Sequence, residues 1–312
     1  MEEALVLGLR KIRKEFVEHV KGYIPSGSIK ACTEYNAYNR YEDVNCLDKT
    51  RVIIKSTYMT TGEDYIHASY VNVNPDLVYI CAQGPLDTTC GHFWLMIMQE
   101  KSKVILQLCS FMEDGKEKCN EYYPAKGTEW ETYGCVQVRV TDRNSNIPGM
   151  KKVVKSKMQV RIEDTTDVHE VTHIFFHGWP DHGVPESIGT VREIRNLIHR
   201  TYEKKPIVAH CSAGIGRTGT FVMMELVLYH LLDKHDAKFK MYEVAKELRN
   251  QRMHALQNDL QYVLVYRCVI DVLINENAIL QSAEITKFND EFADLIKRKR
   301  GADKKPKNRA TT

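Results

Sequence analysis

A cysteine and an arginine six positions apart, Cys211 and Arg217, mark the stretch of this sequence best suited to chemistry. They lie in PIVAHCSAGIGRTGTFVMMELVLYHLL (206–232), where an apolar run leads into a glycine-containing loop and then a helical period. Gly214, Gly216 and Gly219 permit positive φ and close backbone approach. The N–H groups of Ser212, Ala213, Gly214, Ile215 and Gly216 can therefore turn toward one centre and form an anion-binding nest. The start of the following helix adds unpaired N–H groups and its positive dipole end at the same point. Such a site fits a phosphate, with Cys211 at its base and Arg217 able to grip two phosphoryl oxygens bidentately. The same field favours a thiolate and makes Cys211 a nucleophile below the ordinary thiol pKa of about 8.5. The bare spacing is a weak signal; the strand before, the glycines and the helix after make it specific. No Lys follows the glycines, so this is not a nucleotide-binding GxxxxGK loop.

Positioning that loop requires a framework. Short apolar and β-branched runs at 52–54, 70–73, 78–81, 104–108, 135–140, 157–162, 171–177 and 206–210 read as strands. Helical periods fall at 90–100, 188–202, 218–232, 240–251 and 259–275. Strands crowd the first half and helices the second, which implies a sheet covered by helices, of α/β or α+β type. Leu5, Leu9, Ile12, Phe16 and Val20 step by three and four along residues 4–20 and read as an amphipathic helix. Its polar face mixes Glu with Lys and Arg, so it is expected to pack on the body rather than lie on a membrane. Residues 1–285 read as a single domain, with 1–20 its first helix. Residues 286–312 read as the end of a helix and a basic, disordered tail.

Composition narrows the function classes. The chain has 312 residues, 43% hydrophobic and 27% charged, ordinary values for a globular protein. No apolar run reaches the roughly 18 residues of a membrane-spanning helix, and the acidic start with its short apolar stretch argues against a secretory signal. Nine scattered cysteines, without a CxxC pair, suit a reducing cytosol and no zinc or redox motif. The net charge of +3 is uneven: residues 296–312 hold eight Lys or Arg against one Asp, leaving the body mildly acidic. That pattern is not the footprint of a nucleic-acid-binding domain. The tail is a candidate nuclear address, through an import receptor, or a candidate contact for anionic lipid. A cytoplasmic chain with a route to the nucleus is the expected location.

HCSAGIGRTG (210–219) resembles the signature loop of the tyrosine-specific protein phosphatases. Further blocks follow the order of that family: NRYEDV (39–44), DYIHASYV (64–71), AQGPL (82–86), KCNEYYP (118–124), WPDHGVPES (179–187) and QNDLQY (257–262). The resemblance covers residues 15–280 and implies a highly twisted mixed β-sheet flanked by α-helices, in a cysteine-dependent, non-receptor, single-domain enzyme. It implies that Cys211 attacks phosphorus to form a cysteinyl-phosphate, with Arg217 as phosphate clamp and Asp181 as general acid and base. Thr218 carries a hydroxyl suited to stabilising the departing thiolate, and His210 by resemblance orients the loop. Gln257 matches the glutamine that places the hydrolytic water, and Gln261 the second glutamine of that block. Tyr41 matches the aromatic that makes the pocket deep enough for phosphotyrosine, and Asp43 the acid that pairs with peptide backbone. Asn39 and Arg40 shape that loop. Glu113 and Lys118 fall in a charged loop of the family, though MEDGKEK also reads as a solvated charge run.

The implied partners are phosphotyrosine proteins or peptides, with neither metal nor cofactor. The alternative is a catalytically silent phosphotyrosine-binding module, and a phosphoinositide or dual-specificity phosphatase is a third reading. Silent relatives usually lack the Cys, the Asp or the Arg; this sequence has all three. Departures from the family pattern are Tyr38, where many members have Lys, His67 for Asn, Tyr123 for Trp, His182 for Phe and Asn258 for Thr. His254, where some relatives have Gly, is expected to narrow the pocket rim.

Overall fold

The computed structural model describes residues 2–55, 58, 64–125, 127–236 and 238–303, and side chains within residues 8–299 of these. Among the described residues the strands are β1 (Arg51–Ile53), β2 (Tyr65–Asn74), β3 (Leu77–Ala82), β4 (Val104–Gln107), β5 (Met112–Glu113), β6 (Lys116–Glu117), β7 (Glu131–Tyr133), β8 (Val136–Asn144), β9 (Val153–Ile162), β10 (His169–Phe176) and β11 (Ile207–His210). Nine of them form one twisted mixed sheet in the order β1-β2-β3-β11-β4-β10-β9-β8-β7; β5 and β6 make a separate hairpin. The four central strands β3, β11, β4 and β10 are parallel, and the flanks are antiparallel. β4 and β11 are buried at every residue, which explains why they read as unbroken apolar runs rather than as alternation.

The helices are α1 (Glu2–Glu15, continued by a π turn at Phe16–Val20), α2 (Lys30–Glu34), α3 (Cys90–Gln99), α4 (Ile188–Thr201), α5 (Arg217–Leu228), α6 (Met241–Gln251), α7 (Asp259–Asn275) and α8 (Ala283–Asp303). Every residue of α5 is buried, between the sheet and its neighbours α6 and α7. α1 packs on the body as expected, burying Leu9, Ile12, Phe16 and Val20; Gly8, at φ 74°, kinks it just before. The side chain of Leu5 lies outside the described residues.

Two of the differences from the sequence reading bear on the core. β2 begins at Tyr65 rather than near residue 70, because the polar His67 and Ser69 are buried in it and disguise it. α8 crosses the expected domain edge at 285, and Ile285, Phe288, Phe292 and Leu295 extend the core. Its many charges hide that stripe. The tail beyond Asp303 lies outside the described residues. No described helix is long and apolar enough to cross a membrane.

The parallel centre explains where the site is. The carboxyl ends of β3, β4, β10 and β11 lead respectively to Gly84, the β5–β6 hairpin, the loop with Asp181, and Cys211. In open α/β sheets that edge is where ligands bind.

Candidate active site

The loop after β11 is held by its carbonyls. Ser212 O accepts from Gly84 N (2.8 Å), Ala213 O and Gly214 O from Arg252 Nη2 and Nε (2.9 and 3.1 Å). Ile215 O accepts from Leu256 N (2.9 Å) and Gly216 O from Thr220 N (2.8 Å). With five successive carbonyls pinned outward, the amides of residues 212–216 are left to face one centre, and none donates to a partner among the described residues. Glycine is required here: Gly214 has φ 68°, and a Cβ on it would lie 2.0 Å from Ala82 O. A Cβ on Gly216 would lie 2.1 Å from Gln257 Oε1.

Cys211, 3% exposed, closes the bottom of this cradle. Behind it, His210 Nε2 meets Tyr122 OH at 2.8 Å, and Tyr122 OH meets His173 Nε2 at 2.9 Å. Tyr122 OH also lies 3.3 Å from Gln107 Oε1, which can only accept, so one phenolic proton and two oxygen lone pairs serve these three partners. Burial, aided by the charges of Arg40 and Arg217, pushes His210 down to about 3 against a hydrogen bond to Cys211 O. His210 is therefore a neutral spacer at working pH.

Arg217 caps the cradle, 1% exposed. Its Nη1 and Nη2 fork onto Glu113 (2.6 and 3.0 Å), Nη1 also donates to Trp179 O (3.1 Å), and Nη2 reaches Asp181 Oδ1 (3.3 Å). Burial is the largest influence and works against the cation, but the Glu113 hydrogen bonds together with the charges of Cys211, Cys109 and Glu113 outweigh it and hold Arg217 above its ordinary value. Three buried polar atoms around the cradle lack partners among the described residues: Arg217 Nε, Thr218 Oγ1 and Gln261 Nε2. Orphaned donors in a buried site cost free energy unless a ligand or water meets them.

Asp181 sits over this opening. Burial raises its pKa, yet Lys118 Nζ at 2.7 Å and the charges of Arg217 and His182 overcome that and hold it below the usual carboxylate range. Trp179 Nε1 donates to Gly183 O (3.1 Å) and Gly183 N to Pro180 O (3.1 Å), so the loop folds back on itself. The wall opposite is Tyr41, packed on Val44, Ala213 and Ile215, with its OH 2.7 Å from Ser212 Oγ. An anion cradle, a buried thiol, a clamped arginine and a carboxyl over the mouth together suit phosphoryl transfer through a sulfur nucleophile.

Comparison with known proteins agrees: residues 35–271 match the family model described as protein-tyrosine phosphatase. The chain belongs to the protein-tyrosine phosphatase family. It is 32% identical over 240 residues to "Tyrosine-protein phosphatase Lar-like" of Caenorhabditis elegans, covering 75% of this chain and 10% of that protein. Over 281 residues it is 31% identical to "Phosphatidylinositol phosphatase PTPRQ" of Rattus norvegicus, covering 88% of this chain and 12% of that one. With "Tyrosine-protein phosphatase non-receptor type 9" of Homo sapiens it shares 31% over 257 residues, 77% of this chain and 42% of the relative. The chain thus spans between a tenth and about two fifths of these relatives' lengths.

In this protein-tyrosine phosphatase domain the structure brings Cys211, Arg217, Thr218, Asp181, Tyr41, Gln257 and Gln261 to one opening. Gln261 Oε1 accepts from Gln257 N (2.8 Å), while the exposed Gln257 leans over Gly216. Asp43 is exposed near the half-buried His254, whose φ is 64°. Asn39 ties its loop to Cys32 O (2.8 Å) and Tyr65 OH (2.7 Å). Arg40 reaches Gly84 O (3.0 Å), Pro85 O (2.7 Å) and Glu117 (3.1 Å).

Arg252 is the residue that sequence reasoning missed. Fully buried, it also contacts Ser69 Oγ (3.3 Å) and His67 Nδ1 (3.1 Å), and His67 Nε2 meets Val44 O (2.8 Å). A cationic donor at Nδ1 makes Nε2 the ring's N–H, so one chain of bonds links the cradle to the Tyr41 loop. Burial and then the Arg252 charge push His67 down to about 3. In the sequence QRMHAL, nothing marks that arginine as buried.

Proposed function

We propose that this domain hydrolyses phosphotyrosine in proteins through a cysteinyl-phosphate. The observation that carries the reading is that Arg217 Nε, Thr218 Oγ1 and the amides of the loop after Cys211 have no partner among the described residues. Cys211 as thiolate attacks phosphorus; a P–S bond forms as the P–O bond to tyrosine breaks, and Asp181 protonates the leaving oxygen. In the second step water, placed by Gln257, attacks phosphorus and gives its proton to Asp181. The P–S pair returns to sulfur, with the Thr218 hydroxyl beside it, and inorganic phosphate leaves. Arg217 and the amides hold the non-bridging oxygens throughout, already oriented before charge moves.

Lys118, Arg217 and His182 hold Asp181 as an anion, yet it must be an acid in the first step. A phosphate dianion entering the cradle supplies that change. It competes with Asp181 for Arg217 and places negative charge beside the carboxyl, both of which raise the carboxyl's pKa. The half-buried Tyr41 gives a slot with depth, which favours the long phosphotyrosine side chain over phosphoserine.

The expected test is phosphate release from a phosphotyrosine peptide in a chelator, with a phosphoserine peptide and the Cys211→Ser protein alongside. Release from phosphotyrosine alone, abolished by the substitution, is the expected result. Tight binding without turnover would favour the silent phosphotyrosine-binding module. We also place the work of the domain in a reducing, cytoplasmic setting, supported by nine cysteines that are all free thiols. The basic tail remains the proposed address or lipid contact, tested by removing residues 297–312 from a fluorescent fusion.

A further inference from the structure

The loop with Asp181 is tied to the rest of the domain on two sides. On one side are charges that substrate itself will disturb: Lys118 and Arg217 on the Asp181 carboxyl. On the other is a neutral contact, Asn258 Nδ2 to His182 O at 3.2 Å. The same side chain caps α7, its Oδ1 accepting from Gln261 N at 2.9 Å. The amide orientation follows from these partners, because Gln261 N can only donate and His182 O can only accept. The gripped residue is a demanding one. His182 is a non-glycine at φ 52°, and its N–H turns back to Asp181 Oδ1 at 3.1 Å. Its carbonyl belongs to the next peptide unit, so holding it restrains His182 from the side opposite the N–H that meets the Asp181 carboxylate. The base of the contact is itself anchored. α1 grips the first turn of α7 through Arg13 to Asp259 (2.5 Å) and through Glu15 to Tyr262.

We propose that Asn258 is a positioning residue whose amide latches the Asp181 loop to the segment carrying Gln257 and Gln261. Its effect on turnover rests on the hydrolase reading above; the contact itself does not. A threonine at this position has one oxygen and a shorter reach. Asparagine divides the two tasks between two atoms, a cap on Oδ1 and a latch on Nδ2. Because Asp181 and Gln257 must act on one water in the second step, the latch aligns that step most.

Asn258→Ser and Asn258→Asp test this, since both keep a good N-cap and lose the amide donor. One net hydrogen bond corresponds to about a three- to tenfold change in the latched population. With p-nitrophenyl phosphate, kcat is expected to fall by about that factor, with the first-turnover burst of nitrophenolate retained. Hydrogen–deuterium exchange across residues 178–186 is expected to quicken similarly, while the melting temperature stays put. Exchange and kcat equal to the unsubstituted protein in both variants would overturn the latch. So would a kcat loss accompanied by a matching fall in melting temperature, which would make Asn258 a helix cap alone. If the unsubstituted protein released no nitrophenolate, the hydrolase reading would fail instead, and the exchange comparison would still decide the latch.

Discussion

The underside and the mouth of the Cys211 cradle each carry a buried arginine, and the two are satisfied differently. Beneath, each terminal nitrogen of Arg252 and its Nε has an acceptor on fixed framework: two loop carbonyls, a serine on β2 and a histidine on β2. At the mouth, Arg217 has its terminal nitrogens on Glu113 of the β5–β6 hairpin and on Trp179 O and Asp181 of the loop after β10, and its Nε has no partner among the described residues. A buried cation saturated by fixed acceptors acts as a strut. One left short of acceptors, with partners that can move aside, acts as a receptor for an anion. The cost of the second is borne by the first, because the carbonyls that Arg252 pins are what free the amides that Arg217 completes.

The sharpest way to break this contrast is at the mouth. Arg217→Lys keeps a positive charge but loses the planar fork and the Nε donor. By analogy with the loss of a preorganised donor, kcat is expected to fall about 10²–10³-fold. The melting temperature should hardly move, because Glu113 and Asp181 are partly open to solvent and can rehydrate. Steady-state kinetics and calorimetry on one preparation check both halves, and a large melting-temperature drop would erase the distinction.

At the underside the ranking reverses. Arg252→Met fills much of the volume yet strands Ala213 O and Gly214 O in a buried site. Stranding them costs on the order of 2–4 kcal/mol of stability. Activity is expected to fall only as far as the loop relaxes, less than for Arg217→Lys. Denaturant unfolding measures the stability term; a variant as stable as the parent would show that Arg252 is not the strut.

What the residues announced, and what they concealed, divides along the same line. Cys211, Arg217 and the glycines were legible because an anion cradle needs those types at adjacent positions in the chain. α5 and α7 were legible because their apolar periods are long. Arg252 was not, because its meaning depends on two carbonyls 38 and 39 residues away that only the fold brings near. His67 read as a departure from a family asparagine; its bond to Arg252 appears only with the sheet in place. Lys118 and Glu113 also read as solvated charge, since a hairpin at Asp114–Gly115, with φ 49° and 73°, has to form before they face Asp181 and Arg217. The charged α8 hid its four buried side chains for a simpler reason: an apolar stripe that narrow is diluted by the lysines and acids between its members.

The smallest expected effect sharpens the mouth further, by separating Lys118 from Arg217 as the group that sets Asp181. Burial raises the Asp181 pKa, and the Lys118 hydrogen bond with the Arg217 and His182 charges brings it below the ordinary value. A general acid must be protonated, so kcat/KM falls as pH rises through the free-enzyme pKa of Asp181. Lys118→Met removes the 2.7 Å partner and lifts that pKa, so the alkaline limb moves to higher pH. The stability linkage has the opposite reach. A folded pKa below the unfolded value of about 3.9 stabilises the fold above that pH, and the gain is lost as pH falls through the folded value. Lys118→Met should therefore lower the melting temperature by about 1–3 °C at pH 7, with the difference vanishing in strong acid. A limb that stays where it was would mean that Arg217, 3.3 Å away, holds Asp181 on its own. The mouth arginine would then both bind the phosphate and release the acid, and substrate entry alone would switch Asp181 from anion to proton donor.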